Sequence, residues 1–221
     1  MIRIVTVERE YGCGGGEIAQ RLAQRLGWKL WDHQLTEEIA RLANCSKAVV
    51  EQREERTDPL YYRLFKSFLR GSYEGSINAH KLNLVDSETI LKMTERVVQH
   101  AAGKGDSVIV GRGSQLFLKD RADTFRVFLY ASRDDKVRRL LARGKSEREA
   151  QELVDTVDRE RAGFIEKYFN VAWPDRSVYH MMINTGVGDE TVVQTILEFL
   201  KSLDPGFSIK TAGDARNSIP R

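Results

Sequence analysis

Short apolar runs alternate along the chain with segments whose apolar residues recur at helical spacing. Short, continuous apolar runs are typical of strands buried in a parallel sheet. Their alternation with helices predicts an α/β fold in which right-handed crossovers cover the sheet on both sides. The five predicted strands are Ile2–Val7, Trp28–Trp31, Ser107–Val110, Phe125–Tyr130 and Tyr179–Ile183.

The segments between these strands predict amphipathic helices. The first helix has Ile18, Leu22 and Leu26 on one face and ends before Gly27, a residue suited to that position. A Ser146–Glu149 capping box opens a long helix. The other predicted helices cover 36–44 and 47–56, capped by Thr36 and Ser46, then about 87–100, a segment with Val137, Leu140 and Leu141, and a last helix from Asp189 with Val192, Ile196, Phe199 and Leu200 facing inward.

The length of 221 residues and the distribution of these elements predict one domain over 1–203. An apolar stripe at 60–69 is expected to belong to the core or to cover a substrate pocket, and 71–85 are expected to be irregular and mobile. Residues 204–221 have no periodicity, so we expect a disordered tail.

The charge pattern argues against several function classes. Charged residues make up 30% of the chain, but the net charge is only +3, which disfavours binding to nucleic acid through a broad positive field. No run approaches the roughly 18 apolar residues of a membrane span, and charges between Arg3 and Glu10 interrupt any signal-peptide core. Cys13 and Cys45 suggest neither a metal site nor a disulfide. We therefore expect a soluble, cytoplasmic protein with no nucleic-acid or membrane partner.

A glycine-rich turn lies between the first predicted strand and the first predicted helix. Its glycines allow backbone N–H groups to converge on an anion, and the helix that follows adds partial positive charge. This context predicts a phosphate-binding loop, although the lysine and hydroxyl of the GxxxxGK[ST] pattern are missing. The same residues also fit a tight turn that binds nothing. The glycines are Gly12, Gly14, Gly15 and Gly16.

Two polar side chains follow other predicted strands. Asp32 comes directly after the second strand, and Arg112 lies between two glycines after the third. Ligands of open α/β sheets bind at the carboxyl ends of the strands, so both residues are candidates for ligand binding. A surface arginine in a turn is the alternative for Arg112.

Residues 144–177 contain many arginines and carboxylates and few large apolar residues. Arg159 and Arg161 lie two positions apart, so they diverge on a regular helix. On this pattern alone the segment reads as a solvated charged helix face.

Five sequence segments together resemble the cytidylate kinase-like family of P-loop proteins, over essentially residues 2–202. The family usually has serine and arginine where this chain has Cys13 and Gly16, and cytidylate kinase proper has aspartate at the position of Gly113. The segments are REYGCGGGEIA at 9–19, WDHQL at 31–35, VIVGRG at 108–113, VDRERAGFIEKYFN at 157–170 and YHMMINT at 179–185.

The resemblance implies a three-layer P-loop NTPase-like fold with a five-stranded parallel sheet, an arginine-rich helical lid at about 144–177 and an acceptor-side helical insert at about 36–85. It implies that ATP lays its phosphates over the loop, and that Arg9 or a lid arginine supplies the charge of the missing lysine. Magnesium is expected to be reached by Glu17 through water, although Glu17 also suits the first turn of a helix for its own sake. The implied donor-site residues are Gly12, Cys13, Gly14, Gly15, Gly16, Glu17, Arg139 and Arg143.

By the same resemblance, Arg112 grips the phosphate of the acceptor and Asp32 lies where the acceptor pocket begins. Arg159 and Arg161 match lid arginines that close over the transferring group. The implied function is ATP-dependent phosphoryl transfer to a small acceptor, with a nucleoside monophosphate such as CMP as the leading candidate. The alternative is a nucleotide-sensing module that no longer transfers phosphate.

Overall fold

The computed structural model describes residues 1–50 and 87–203, which form an α/β fold around a five-stranded parallel sheet. The strand order is β2-β3-β1-β4-β5, and every neighbouring pair is parallel. This confirms the predicted fold class. The strands are β1 (Ile4–Arg9), β2 (Lys29–Trp31), β3 (Ser107–Val110), β4 (Thr124–Tyr130) and β5 (Met181–Asn184).

Helices cover both faces of this sheet, giving three layers. One core joins the sheet to α2, α3 and the end of α6, and the other joins it to α1 and α7. The division follows from β1, in which Ile4 contributes to the first core while Val5 and Val7 contribute to the second. The helices are α1 (Gly15–Leu26), α2 (His33–Val50), α3 (Ser87–Gly103), α4 (Ser114–Phe117), α5 (Arg133–Ala142), α6 (Glu147–Phe169) and α7 (Asp189–Leu203).

The middle strand β1 is buried along its whole length, including its two charged residues. The prediction placed this strand at Ile2–Val7, but it extends to Arg9 because Glu8 and Arg9 continue the ladder with Phe128 and Leu129 of β4. The extension brings two charged side chains to the carboxyl end of the sheet, inside the fold.

Two helix predictions were wrong in detail. Helices at 36–44 and 47–56 with separate caps were expected, but one helix runs from His33 to Val50, so neither Thr36 nor Ser46 is an N-cap. Its first turn begins directly after β2, where Thr36 is buried and bonded to Arg112. In α7, Phe199 is 37% exposed instead of buried, although its ring still contacts Phe125 at a centroid distance of 5.5 Å.

Several expectations lie outside the described residues. They are the continuation of the predicted second helix beyond Val50, the stripe at 60–69, the irregular segment at 71–85 and the tail at 204–221. Within the described part of the chain, no helix is long and apolar enough to cross a membrane.

Candidate functional site

The glycine loop connects β1 to α1 in a backbone conformation that glycine adopts easily. Gly12 and Gly14 have φ angles of 80° and 83°, and Gly14 is the N-cap of α1 without any side-chain cap hydrogen bond. The φ of Gly14 strains any residue with a side chain, and a Cβ there would also displace the guanidinium of Arg139, whose Nη1 would lie 2.4 Å from it. The amino end of α1 therefore presents backbone amides without a side-chain cap, the arrangement that favours an anion.

The cavity above this loop is narrow. It holds about 20 Å³ and is lined by loop residues together with Glu17, Arg143, Arg9 and Arg161. That volume suits a water molecule, whereas a triphosphate requires the surrounding side chains to move apart. The loop is therefore shaped for anions but closed by its own neighbours.

Cys13 differs from the other loop residues, because its side chain points into the core. Its Sγ lies 3.6 Å from the carbonyl oxygen of Leu129, and burial raises the pKa of the thiol to about 12. Its carbonyl oxygen accepts a hydrogen bond from Oγ1 of Thr185 at 2.7 Å. Cys13 thus connects the loop to the turn that follows β5, and only its backbone is available to a ligand.

Arg9 crosses the site between the loop and the turn after β3. The side chain is 3% exposed. A Cβ at Gly15 would lie 2.8 Å from Cβ of Arg9, and one at Gly111 would lie 2.0 Å from its Nη1. The same nitrogen donates to Oε1 of Glu8 at 3.3 Å. The sequence raised Arg9 as a source of the missing charge, and the structure places that charge beside the loop.

Arg112 follows β3, the neighbour of β1, and lies at the same end of the sheet as Arg9. Its Nη1 donates to Oδ1 of Asp32 at 3.0 Å and to the carbonyl oxygen of Val110 at 3.1 Å, and its Nη2 donates to Oγ1 of Thr36. Burial lowers the pKa of Arg112 to about 10 despite the opposing charge of Asp32, so the guanidinium stays charged at neutral pH. Its Nε is buried without a partner among the described residues, which leaves one donor unused.

The two arginines of α6 lie in different environments, as their spacing predicted. Arg161 is buried and donates from Nη1 to the carbonyl oxygen of Arg9 at 3.1 Å and to Oδ1 of Asp158 at 3.3 Å. Arg159 is exposed on another face of the helix. The structure therefore brings Arg161 to the loop but not Arg159.

Asp158 and Lys136 complete the contact between the loop and the helices above it. Oδ1 of Asp158 accepts from the backbone N–H of Tyr11 at 2.8 Å, and Nζ of Lys136 donates to Glu10 at 3.0 Å and to Asp158 at 3.4 Å. Burial acts to lower the pKa of Lys136, but its bonds to the two carboxylates outweigh this effect and raise it. Sequence reasoning missed Lys136, because one lysine in an amphipathic helix carries no pattern.

Two further arginines from this region flank the amino end of α1. Nη2 of Arg139 lies 2.7 Å from Oδ1 of Asp189, and Arg143 pairs with Glu17. Both predicted donor-site arginines thus lie beside the loop, held by carboxylates of α7 and α1.

Comparison with known proteins agrees with this arrangement. The model of the cytidylate kinase-like family matches residues 4–187, a range that includes the glycine loop, the turn after β3, α5 and α6 but not Asp189. The chain belongs to the cytidylate kinase-like family. No curated protein matches the chain significantly.

Two solved structures share the cytidylate kinase-like fold of this chain. An uncharacterized protein from Eubacterium ventriosum has a TM-score of 0.65 at 21% identity, covering 91% of this chain and 99% of its own. The protein TT1252 from Thermus thermophilus has a TM-score of 0.51 at 17% identity, covering 92% and 98% respectively. At these identities the likeness supports the fold alone.

In this chain, the aromatic rings of Phe169 and Phe117 cover the turn after β3. Gly113 has a φ of 67°, and a Cβ there would lie 3.1 Å from Cζ of Phe169. Phe169 in turn packs edge-on against Phe117 at 5.2 Å. An aspartate, which cytidylate kinase proper has at this position, would be strained and would meet the Phe169 ring. The rings of Phe169 and Phe117 thus form an apolar wall beside Gly113, which itself has no carboxylate.

A larger cavity of about 640 Å³ lies beside β2, between α2 and α3. Lysine and arginine side chains such as Lys29, Arg96 and Lys104 line it, but none of the predicted site residues does. The two cavities therefore share no lining residue.

The described residues contain no group of three or more His, Cys, Asp or Glu side chains placed to hold a metal ion. A cage made only of protein ligands is thus not found in this part of the chain.

Proposed function

We propose that this protein transfers a phosphoryl group from ATP to a small acceptor, with a nucleoside monophosphate such as CMP as the leading candidate. The observation that supports this best is the convergence of three buried guanidinium groups at the carboxyl end of the sheet, two of which line the loop cavity. Arg9, Arg112 and Arg161 come from β1, the turn after β3 and α6, and each is less than 5% exposed. The charges of Arg9 and Arg161 both act to lower the pKa of Arg112, as expected of positive groups that share a site.

Phosphoryl transfer requires a protein mainly to position two substrates and to neutralise developing charge. In the proposed mechanism, the amides of the loop and of the amino end of α1 hold the ATP phosphates. Arg9 and Arg161 neutralise charge on the transferring group, and Arg139 and Arg143 flank the nucleotide. A guanidinium suits these roles because it stays charged and binds two oxygens at once.

Arg112 and Asp32 are proposed to form the acceptor side. Arg112 would hold the acceptor's phosphate with the donors that Asp32 and Thr36 now occupy and with its unused Nε. Asp32 would then be free to orient a hydroxyl or amino group of the acceptor. The apolar wall of Phe117 and Phe169 would limit the size and polarity of what binds next to Arg112.

Mg²⁺ would neutralise charge on the phosphates of ATP. Glu17 lies in the first turn of α1 and lines the loop cavity, so its carboxylate is the one we expect to contact the ion through water. Its present partner, Arg143, would have to release it, and Arg143 is then available to a phosphate or base.

Residues 144–177 are proposed to act as the lid, with Arg161 as the arginine that reaches the transferring group and Arg159 as one that closes from the exposed face. The predicted acceptor-side insert at 36–85 is described only as far as Val50, and its first turn, with Thr36 bonded to Arg112, is proposed to border the acceptor. A cytoplasmic location and the lack of nucleic-acid partners remain parts of this proposal.

A nucleotide sensor without transfer activity is the second candidate. The observations that favour it are the absence of a lysine and a hydroxyl at Gly15 and Gly16 and the small volume of the loop cavity. The buried arginines favour a kinase, because a module that only binds has less need for positive charge on the acceptor side.

A coupled assay of ADP release with Mg²⁺, ATP and a panel of nucleotide and small-metabolite acceptors tests the proposal. We expect acceptor-dependent turnover that is lost in Arg112→Ala and retained in Arg133→Ala, which removes an exposed arginine paired with Asp155. Tight ATP binding without turnover on any acceptor supports the sensor. A parent protein that binds no ATP contradicts both candidates.

A further inference from the structure

The carboxylate of Asp158 is an anion already bound at the glycine loop. Its Oδ1 accepts from the backbone N–H of Tyr11 at 2.8 Å and from Nη1 of Arg161 at 3.3 Å. Its Oδ2 accepts from Nζ of Lys136 at 3.4 Å. The side chain is only 16% exposed, so protein groups, rather than water, make most of its contacts.

These three donors are of the kinds that hold a phosphoryl group in nucleotide-binding loops. A backbone amide of the loop, a lysine ammonium and an arginine guanidinium converge on a single pair of oxygens, and each comes from a different element. Such groups recognise negatively charged oxygens without regard to the atom that carries them. The Tyr11 N–H, Lys136 and Arg161 thus form a binding seat for an oxyanion, which the carboxylate of Asp158 occupies.

Asp158 is held there against the effect of burial. Burial raises the pKa of its carboxyl group, and the charges and hydrogen bonds of Arg161, Tyr11 and Lys136 only partly offset the rise. Glu10, which also binds Lys136, acts in the same direction as burial because it brings a second negative charge close. A phosphoryl group offers these donors more negative charge and more acceptor oxygens than the carboxylate does, so it competes for the same hydrogen bonds.

We infer that Asp158 occupies the seat of the terminal phosphoryl group of ATP, and that Lys136 of α5 takes the part of the lysine missing from the loop. The inference rests on the proposed function. ATP binding then requires the carboxylate to leave these donors. Asp158 acts as an internal competitor, and its departure frees Arg161 and Lys136 for the phosphoryl group.

A structural role for Asp158 predicts the opposite change in nucleotide affinity when its charge is removed. If the carboxylate were a brace that orders the loop and Arg161 for binding, removal of its charge would weaken nucleotide binding. If it competes with the terminal phosphoryl group, removal of its charge tightens the binding of ATP but not of ADP, which lacks that group. Comparison of ATP with ADP therefore shows whether the change in affinity depends on the terminal phosphoryl group, and the ATP affinity alone shows its direction.

The experiment measures the affinities of Mg·ATP and Mg·ADP by isothermal titration calorimetry for the full chain and for Asp158→Asn. Asparagine keeps the acceptor for the Tyr11 N–H, and a thermal melt verifies the fold. We expect ATP to bind about tenfold more tightly, the scale of one hydrogen bond between charged groups, and ADP to change by less than about twofold. Asp155→Asn is the matched control, because it removes the same charge from an exposed position one turn away on α6.

Lys136 is tested in the same way. Lys136→Met is expected to weaken ATP about tenfold more than ADP, and Lys136→Arg to restore most of the difference. Unchanged or weaker ATP binding in Asp158→Asn, or equal effects on ATP and ADP, overturns the inference while leaving the kinase proposal intact if the parent turns over. A parent that binds neither nucleotide refutes the proposed function itself, and this inference with it.

Discussion

The guanidinium of Arg112 and the carboxylate of Asp32 form an ion pair at 3.0 Å although both side chains are almost completely buried. The residues are 80 positions apart and come from the carboxyl ends of adjacent strands, β3 and β2. The pairing joins the turns that follow these two strands. Because both charges have left water, each depends on the other for its stability in the fold.

Removal of one partner of this pair is expected to destabilise the protein. Asp32→Asn should lower the free energy of unfolding by about 3 kcal/mol, because it leaves a buried guanidinium without its counter-charge. Urea denaturation measures the change. Asp155→Asn breaks an exposed pair with Arg133 and should leave the denaturation midpoint unchanged, since water replaces that partner. Equal midpoints for the two variants contradict the role of the buried pair.

Substitution of the two arginines of α6 should affect stability differently, because Arg161 is buried and Arg159 is exposed. Arg161→Met is expected to lower the free energy of unfolding by about 3 kcal/mol, since Asp158 and the carbonyl of Arg9 lose their donor. Arg159→Met should change it by less than about 0.5 kcal/mol, because this residue is exposed. Urea denaturation and the ADP-release assay on both variants provide the test. Loss of turnover in Arg159→Met at unchanged stability supports its proposed lid role, and unchanged turnover removes it from the site.

The sequence predicted the sheet and the glycine turns at its carboxyl end because both follow from local patterns. Ser107–Val110 is a continuous apolar run flanked by glycines, and the strand has the predicted bounds. The glycines that open α1 and surround Arg112 were visible for the same reason. Apolar periodicity and glycine placement are properties of neighbouring residues, so a sequence read in order reveals them.

The rest of the site depends on contacts between distant segments. Lys136 and Asp158 meet the loop from two helices, at sequence separations of 126 and 147 residues from their partners Glu10 and Tyr11. Each is one charged residue on an amphipathic helix, and the pattern alone does not separate it from exposed neighbours such as Arg159. The single helix across Thr36 was also missed, because a residue typical of an N-cap was bonded instead to Arg112.

Two glycines provide a paired test of the position of Arg9. Gly111→Ala should destabilise the protein by about 2 kcal/mol or more, because φ is 63° and the new Cβ would lie 2.0 Å from Nη1 of Arg9. Gly103→Ala should be neutral or stabilising by up to about 1 kcal/mol, since the residue ends α3 and nothing lies within 4 Å of the new Cβ. Thermal and urea denaturation measure both. A tolerated Gly111→Ala contradicts the prediction and shows that the guanidinium of Arg9 can leave this place without loss of stability.

The stability of the sheet edge should depend on the protonation of His180. Its Nδ1 accepts from the backbone N–H of Arg126 at 3.1 Å, and burial together with the Arg126 charge lowers the pKa of the imidazole. A lowered pKa favours the neutral ring in the folded state, so the stabilisation is present above the unfolded pKa of about 6.5 and is lost as the pH falls through the folded value. His180→Asn keeps an acceptor but does not titrate. Urea denaturation between pH 7 and pH 5 should show the parent losing stability relative to this variant, and parallel curves contradict the assignment.

The carboxylate of Glu17 should set the magnesium requirement of the reaction. Glu17→Gln is expected to raise the Mg²⁺ concentration for half-maximal turnover several-fold, because a neutral amide holds the waters of the ion less strongly than a carboxylate. Arg143→Gln is the matched control, since it removes the cation that pairs with Glu17 and leaves the carboxylate in place. That variant should need the same or less Mg²⁺, because the carboxylate is no longer shared. Magnesium titrations at saturating ATP that coincide for Glu17→Gln and the parent would remove Glu17 from the metal site and leave it as the partner of Arg143 in the first turn of α1.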